Sequence, residues 1–338
     1  MNPVASVIMP CYNVERYVVS ALESVCASTL ADFEIIAVDD GSTDRTGERL
    51  AAFAARERRL VVLSQENLGV SAARNRGLDA ARGTYVFFVD PDDRIHPEML
   101  ARGVARLEAT KADCCLFAYR RRFGETGAWQ TMSLQGVYEY SSREAILAEF
   151  FPHLFGYSNA QAQIWNRRGD WRRGREEGSV CRGVYRLDLI RRANVRFDES
   201  IVLYEDAMFN CEYLLACSTM TCLDEPLYDY TVRPAGAVTA NQHTRVLFTN
   251  KLRLLDRRKA LDRLSGGRLT DAYSASCVFS VLEMLHALVF TGVKLHEGLP
   301  ILRAYLKDDV TRRALKRFPL SVRRPLVALV VGLLRLIF

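Results

Sequence analysis

No Cys-x-x-Cys pair occurs in this chain, although it has nine cysteines. An odd count, set mostly in apolar strings such as Cys114-Cys115-Leu116-Phe117, argues against a disulfide frame or a zinc site. These residues read as reduced core residues of a cytosolic protein. The five histidines have no metal-ligand spacing among themselves. Charge of one sign is also scarce. With 46 Lys and Arg against 40 Asp and Glu, the excess is +6, too small to argue for a nucleic-acid partner. No signal peptide is expected, because the first apolar run, Val4–Met9, lacks a basic lead and stops at Pro10. No internal repeat is visible.

What is present is an ordinary globular composition, 49% hydrophobic and 25% charged, in 338 residues. That length can bury one large core or two modest ones. The chain is organised around Val86–Asp93, which reads Val-Phe-Phe-Val-Asp-Pro-Asp-Asp. The short β-branched and aromatic run predicts a buried strand. Pro91, with no N–H to donate, stops the pairing. Asp90, Asp92 and Asp93 then emerge at the carboxyl edge of the strand, where open α/β sheets bind ligands. Clustered carboxylates repel unless a cation or donor sits among them. A hard divalent ion, Mg²⁺ or Mn²⁺, suits such oxygens and brings substrate phosphates with it. The plainer alternative is a solvated acidic turn capping a helix from Pro97 onward. Asp-x-Asp alone leaves the two level.

The amino-terminal part alternates strand and helix. Ser6–Met9 predicts a first strand broken by Pro10-Cys11-Tyr12-Asn13, and Val14–Cys26 a helix with Val14, Tyr17, Val18, Ala21, Leu22 and Val25 on one face. Phe33–Val38 is a second strand ending in Asp39-Asp40-Gly41-Ser42-Thr43-Asp44, whose Gly41 permits a turn before a helix near Asp44. Leu60–Leu63 is a third strand, Val70–Ala81 a helix, and Thr84–Val89 the fourth strand. This alternation predicts an α/β fold: a mostly parallel sheet sandwiched by helices, joined by right-handed crossovers. The polar clusters at Tyr12-Asn13, Asp39-Asp40 and Asp90–Asp93 all follow strands, so they converge on one edge. Arg74, in the first turns after Gly69, can join them.

Four stretches together, Ser6–Asn13, Val38–Asp44, Asn67–Asn75 and Asp90-Pro91-Asp92-Asp93, resemble the family 2 glycosyltransferases, whose fold is the Rossmann-like GT-A fold. They stand in the family's order and spacing over roughly the first 100 residues. The resemblance implies transfer of a sugar from a nucleotide-diphosphate donor to a hydroxyl acceptor, with inversion at the anomeric carbon. It gives Pro10, Tyr12, Asp39, Arg74 and Asp90 to the donor. Tyr12 would lie near the nucleobase, and Asp39 would accept the imide N–H of uracil, which favours a UDP-sugar. Arg74 would face base or phosphates, and Asp90 the ribose or the metal. Asp92 would ligate Mn²⁺ or Mg²⁺, which offsets charge on the leaving nucleotide diphosphate. Asp93 is a possible supporting residue.

After Ala112 the pattern changes. Strands are expected at Asp113–Tyr119, Gln135–Tyr140, Thr219–Leu223 and Leu227–Tyr230, with a helix at Ala145–Phe151 after a capping box at Ser141–Glu144. Val184-Tyr185-Arg186 leads into a short helix through Ala193. Arg167–Glu177 is an arginine-rich loop, read either as a solvated segment or as a contact for an anionic acceptor. Glu205 and Asp206 open a helix, where a helix dipole alone would favour acids. The resemblance makes this pair the source of the catalytic base, assigned to Asp206, with Glu205 supporting. It also allows a histidine beyond Arg233 to reach the metal, with His243 the candidate and a polar helix start the alternative.

Four helices are expected in the tail, at 243–265, 268–291, 297–306 and 308–317, broken by Ser265-Gly266-Gly267. From Arg312 every charged residue is basic, and the last stretch is apolar over about 14 residues, short of the ~20 that span a bilayer. It reads as an interfacial helix at 320–338 on an anionic inner membrane face, or as a helix docked on protein. The expected organisation is a transferase domain at 1–240, with a nucleotide half (1–111) and an acceptor half (112–240), and a helical tail at 241–338. The expected partners are a nucleotide-sugar donor and a glycan or lipid-linked acceptor of surface polysaccharide synthesis, met by a cytoplasmic protein peripheral to the membrane. Two rivals stand beside this reading. One is a catalytically silent, transferase-like assembly partner at the membrane. The other is a sugar nucleotidyltransferase, whose glycine-rich loop after the first strand is missing here.

Overall fold

In the structure, a computed structural model that describes residues 2–134, 139–154, 178–233, 245–290 and 294–317, the four apolar runs of the amino-terminal part form neighbouring parallel strands. These are β1 (Ala5–Cys11), β2 (Phe33–Asp40), β3 (Leu60–Gln65) and β4 (Tyr85–Phe88). Residues of β1, β2 and β4 are almost all buried, as continuous apolar runs covered on both faces require. Each large side chain so buried contributes about 1.5–3 kcal/mol. Helices α1 (Val18–Cys26), α2 (Thr46–Ala54), α3 (Val70–Ala80) and α4 (Met99–Thr110) follow the strands in turn.

Past β4 the sheet becomes mixed. It continues with β5 (Arg94–Ile95), β6 (Cys114–Phe123), β7 (Gln130–Met132), β8 (Gly183–Arg186) and β9 (Met220–Val232). The order is β3-β2-β1-β4-β8-β6-β9-β5, with β7 paired to β6. Strand β8 enters antiparallel between β4 and β6, and α5 (Leu187–Arg192) follows it. The parallel pairing expected from the alternation therefore holds for β1–β4, and β6 and β9 add one further parallel pair.

Three expectations need correction. Pro10 does not break β1, which runs on to Cys11. Val4 and Ile8 accept from Tyr85 and Val89, so even-numbered residues of β1 turn their backbone groups toward β4. The ladder with β4 ends at Ile8, so the N–H that Pro10 lacks falls where no partner stands. The expected strands at 219–223 and 227–230 are one strand, β9. Its register against β6 shifts around Ala118, and this irregularity accommodates Pro226. The expected helix at 145–151 contains a π-helical turn, Ile146–Phe150, before Phe151–Leu154. Of the strand expected at 135–140, residues 135–138 lie outside the described residues, and Tyr140 forms an isolated bridge to Met220.

Close approach of backbones joins the segment between α3 and β4 to β1. The Gly83 N–H donates to Ser6 Oγ at 2.8 Å, and the Ser6 hydroxyl donates to buried Glu34 at 2.7 Å. A Cβ on Gly83 would lie 2.5 Å from the Ser6 nitrogen and 2.6 Å from the Ala5 carbonyl carbon. Those are main-chain atoms of a central strand and cannot yield cheaply. Gly83→Ala is therefore expected to cost about 1–3 kcal/mol of stability or more. An unchanged urea midpoint would contradict it.

The chain divides into two compact units. The sheet and its helices belong to Met1–Arg143, Ser179–Glu199 and Glu212–Gly236, and the second unit comprises Glu144–Gly178, Ser200–Cys211 and Ala237–Phe338. Within the second, α7 (Arg245–Leu264), α8 (Thr270–Phe290), α9 (Leu295–Lys307) and α10 (Asp309–Arg317) match the four expected helices closely. Gly266 and Gly267, both at positive φ, make the break after α7. Asp308 ties them together, accepting from Lys259 of α7 at 2.8 Å and from the Thr311 N–H of α10 at 2.9 Å. No helix among the described residues is long and apolar enough to cross a membrane. All nine cysteines are free thiols, eight of them buried, and burial pushes the Cys11 thiol far above its usual range.

Candidate active site

Because β1, β2 and β4 are parallel, their carboxyl ends share one edge, and the loops leaving them are knit together there. Asn13, in a left-handed conformation at φ 52°, accepts the Thr43 N–H at 2.8 Å through its side-chain oxygen. Its own N–H donates to Ser42 Oγ at 3.1 Å. Tyr12, just before it, is 46% exposed beside this junction. Pro10 lies buried at the end of β1.

The two acids that end β2 have separate tasks. Asp40 is buried and accepts three bonds, from Gln65 Nε2 at 2.7 Å, Leu68 N–H at 2.9 Å and Gly69 N–H at 2.8 Å. It anchors the loop that starts α3. Asp39 is half-buried and accepts the Ser42 N–H at 3.1 Å through Oδ1, so its carboxylate stays at the edge. From α3, buried Arg74 donates to Asp90 Oδ1 at 3.0 Å, and its guanidinium lies 5.2 Å from the centre of the Phe197 ring. Tyr12, Asp39, Arg74 and Asp90 thus come from two loops, a strand end and a helix to one edge.

The acids after β4 also divide by role. Asp93 is buried beneath the edge, where it accepts the Tyr228 hydroxyl at 2.9 Å and the Thr231 N–H at 3.1 Å. Burial, then the charges of Asp92 and Asp90, push its carboxyl well above the usual range. It fixes β9 to the acidic turn. Asp92 keeps 32% of its side chain exposed and accepts Arg233 Nη1 at 2.8 Å. Burial and the neighbouring Asp90 raise it, and Arg233 counters part of that rise.

Among the described residues no group of three or more His, Cys, Asp or Glu side chains is arranged to hold a metal ion. The donor set nevertheless suits a divalent cation. Asp90 and Asp92 are hard-oxygen carboxylates on one short turn, and such ions commonly take one or two carboxylates and complete their shell with substrate phosphates. His243, the Arg167–Glu177 loop and the apolar stretch at 320–338 lie outside the described residues.

In the second unit, Glu205 and Asp206 occupy the first turn of α6 (Glu205–Ala216), both half-buried. Tyr204 enters the helix at φ 70°, a conformation a bulky residue adopts only under constraint. The constraint is visible one residue earlier. Buried Asn250 of α7 accepts the Val202 and Leu203 N–H groups at 2.8 and 3.2 Å, and donates to the Leu203 carbonyl at 2.9 Å. Asn250→Ala leaves these backbone groups unmatched and is expected to lower the unfolding free energy by about 1–3 kcal/mol. A denaturation curve that overlays the parent would refute this.

Sequence reasoning missed Arg233 and Tyr228 at the acidic turn of the first unit, and Asn250 at the loop before α6 in the second. For Arg233 a signal exists: an acidic turn calls for a cation, and this arginine directly follows a strand.

Residues 6–167 match the family model described as Glycosyl transferase family 2. The glycosyltransferase EpsJ of Bacillus subtilis (strain 168) is 34% identical over 234 residues, 69% of this chain and 62% of EpsJ, so the chain spans less than two thirds of that relative. Chondroitin synthase of Escherichia coli is 29% identical over 164 residues, 48% of this chain and 23% of that protein. Among solved structures, S. aureus TarS 1–349 in complex with UDP-GlcNAc is similar with a TM-score of 0.66 at 20% identity, covering 99% of this chain and 88% of that one. At that identity the likeness concerns the fold, which is GT-A.

Proposed function

This chain belongs to glycosyltransferase family 2, and we propose that it transfers a sugar from a UDP-sugar to a hydroxyl acceptor, with inversion at the anomeric carbon. The observation that carries the reading is the convergence of Tyr12, Asp39, Arg74 and Asp90 on one sheet edge, with half-exposed Asp92 beside them. Asp39 would accept an N–H of a base stacked near Tyr12. Arg74, fixed by Asp90, offers positive charge to the nucleotide. The UDP-GlcNAc bound by TarS supports a uridine donor.

Asp206 acts as the base, its carboxylate taking the acceptor's proton as the oxygen attacks opposite the leaving group. Glu205 supports it. Asp92, with Asp90, would hold Mn²⁺ or Mg²⁺, and that ion supplies Lewis-acid charge to the leaving diphosphate. The likeness to chondroitin synthase supports an acceptor in polysaccharide synthesis, either a glycan or a lipid-linked glycan. The basic, apolar sequence at 320–338 supports attachment to an anionic membrane face. Deleting 320–338 is expected to shift the protein out of the membrane fraction, and a parent protein never found there ends that part of the proposal.

The direct test is binding across a panel of nucleotide sugars by calorimetry, with and without Mn²⁺ or Mg²⁺. Metal-dependent binding of a UDP-sugar supports the reading. No binding of any nucleotide sugar by the intact chain would instead favour a silent, transferase-like assembly partner.

A further inference from the structure

Arg233 already supplies positive charge where the reading above places a metal ion. Its Nη1 donates to Asp92 Oδ2 at 2.8 Å and lies 3.9 Å from Asp93 Oδ1. Its Nη2 lies 3.2 Å from Glu125 Oε1, and the guanidinium sits 4.2 Å over the Tyr17 ring. The arginine side chain is 13% exposed, while Glu125 is 56% exposed. Its backbone follows directly on β9, which Thr231 and Tyr228 fasten to Asp93. So the main chain is fixed, the side chain is long, and a carboxylate stands on either hand.

The physics of this arrangement sets a conflict. Asp90, Asp92 and Asp93 repel one another, and the guanidinium relieves that repulsion through Asp92. A divalent cation on Asp92 would stand at short range from the same guanidinium, and two like charges in a partly buried site cost each other affinity. Glu125 offers the arginine a second partner, and the face of Tyr17 is attractive to a cation that remains above it.

We propose that Arg233 is an internal counter-ion that competes with the divalent cation for Asp92, and yields it by passing wholly to Glu125. The proposal rests on Asp92 as a metal ligand. It makes a metal alone a weak ligand of the intact protein. A nucleotide diphosphate adds negative charge beside both cations and removes their conflict, so metal and donor bind together.

The experiment is a titration of Mn²⁺, followed by the electron paramagnetic resonance of the free ion, with no sugar transfer involved. Arg233→Gln is expected to bind Mn²⁺ about tenfold more tightly than the parent in the absence of nucleotide, and to show a smaller gain on adding UDP. Glu125→Gln removes the second partner, so it is expected to bind Mn²⁺ about threefold more weakly. Because Glu125 is exposed, this variant decides the matter if Arg233→Gln does not fold. Unchanged or weaker Mn²⁺ binding in Arg233→Gln, or unchanged binding in Glu125→Gln, overturns the proposal. Asp92→Asn separates it from the reading beneath. If that variant binds Mn²⁺ like the parent, the metal assignment falls and the counter-ion role falls with it. If it loses Mn²⁺ while Arg233→Gln binds like the parent, the counter-ion role alone falls.

Discussion

Asp206→Asn is expected to lower turnover by about 10²–10⁴-fold while the donor still binds. The substitution keeps the shape of the side chain and removes its ability to take a proton. Asp206 sits in the first turn of α6, behind a tyrosine in a left-handed conformation and a loop held by buried Asn250. That loop is held by neutral bonds between Asn250 and the backbone of Val202 and Leu203, so the variant is expected to fold normally. A base that accepts the acceptor's proton also sets the acid limb of the pH–rate profile. That limb is expected to disappear in the variant. The measurements are UDP release for turnover and calorimetry for donor affinity. Full turnover in Asp206→Asn would move the base to another group, and lost donor binding would make Asp206 a binding residue.

Asp92→Asn is expected to fail at the opposite step. Loss of metal-held charge on the leaving diphosphate is worth several kcal/mol, which lowers kcat/KM by about 10²–10³-fold. Donor binding is expected to lose its dependence on Mn²⁺ or Mg²⁺. The neighbouring acid supplies the control. Asp93 is buried and bonded to Tyr228 and Thr231, so Asp93→Asn is expected to show itself first in stability. Metal dependence retained in Asp92→Asn and lost in Asp93→Asn would reverse the two assignments.

The strands that build this edge were legible because a buried parallel strand writes itself as an unbroken apolar run. Ile35–Val38 and Val86–Val89 are such runs, and the acids at their ends needed only the rule that parallel strands share a carboxyl edge. The tail helices were legible from their period, and α8 and α10 end within a residue of expectation. What was not legible was set by partners far along the chain. Gly183–Arg186 is too short to announce a strand, and it is one because β4 and β6 flank it. Arg233 meets Asp92 across 141 residues, a separation no local pattern records. Pro10 carries the usual mark of a strand end, yet the ladder beside it stops first, so the mark misleads. The segments Glu144–Gly178 and Ser200–Cys211 group with the carboxyl-terminal helices, although they precede β9 in the chain.

The place of β8 bears on how this protein is synthesised. Tyr85, Val86 and Phe87 have a partner on one side in β1, and on the other only in β8. While the ribosome adds the roughly one hundred residues that separate them, at about 5–20 residues per second, the nascent sheet presents an apolar, unpaired edge for about 5–20 s. Such an edge is a template for pairing with another chain. The nascent chain is therefore most exposed to aggregation in that interval, and a chaperone that recognises extended apolar segments has most to protect before residue 186 has emerged. The acidic turn at the tip of the same strand is completed later still, when Tyr228 and Thr231 reach Asp93.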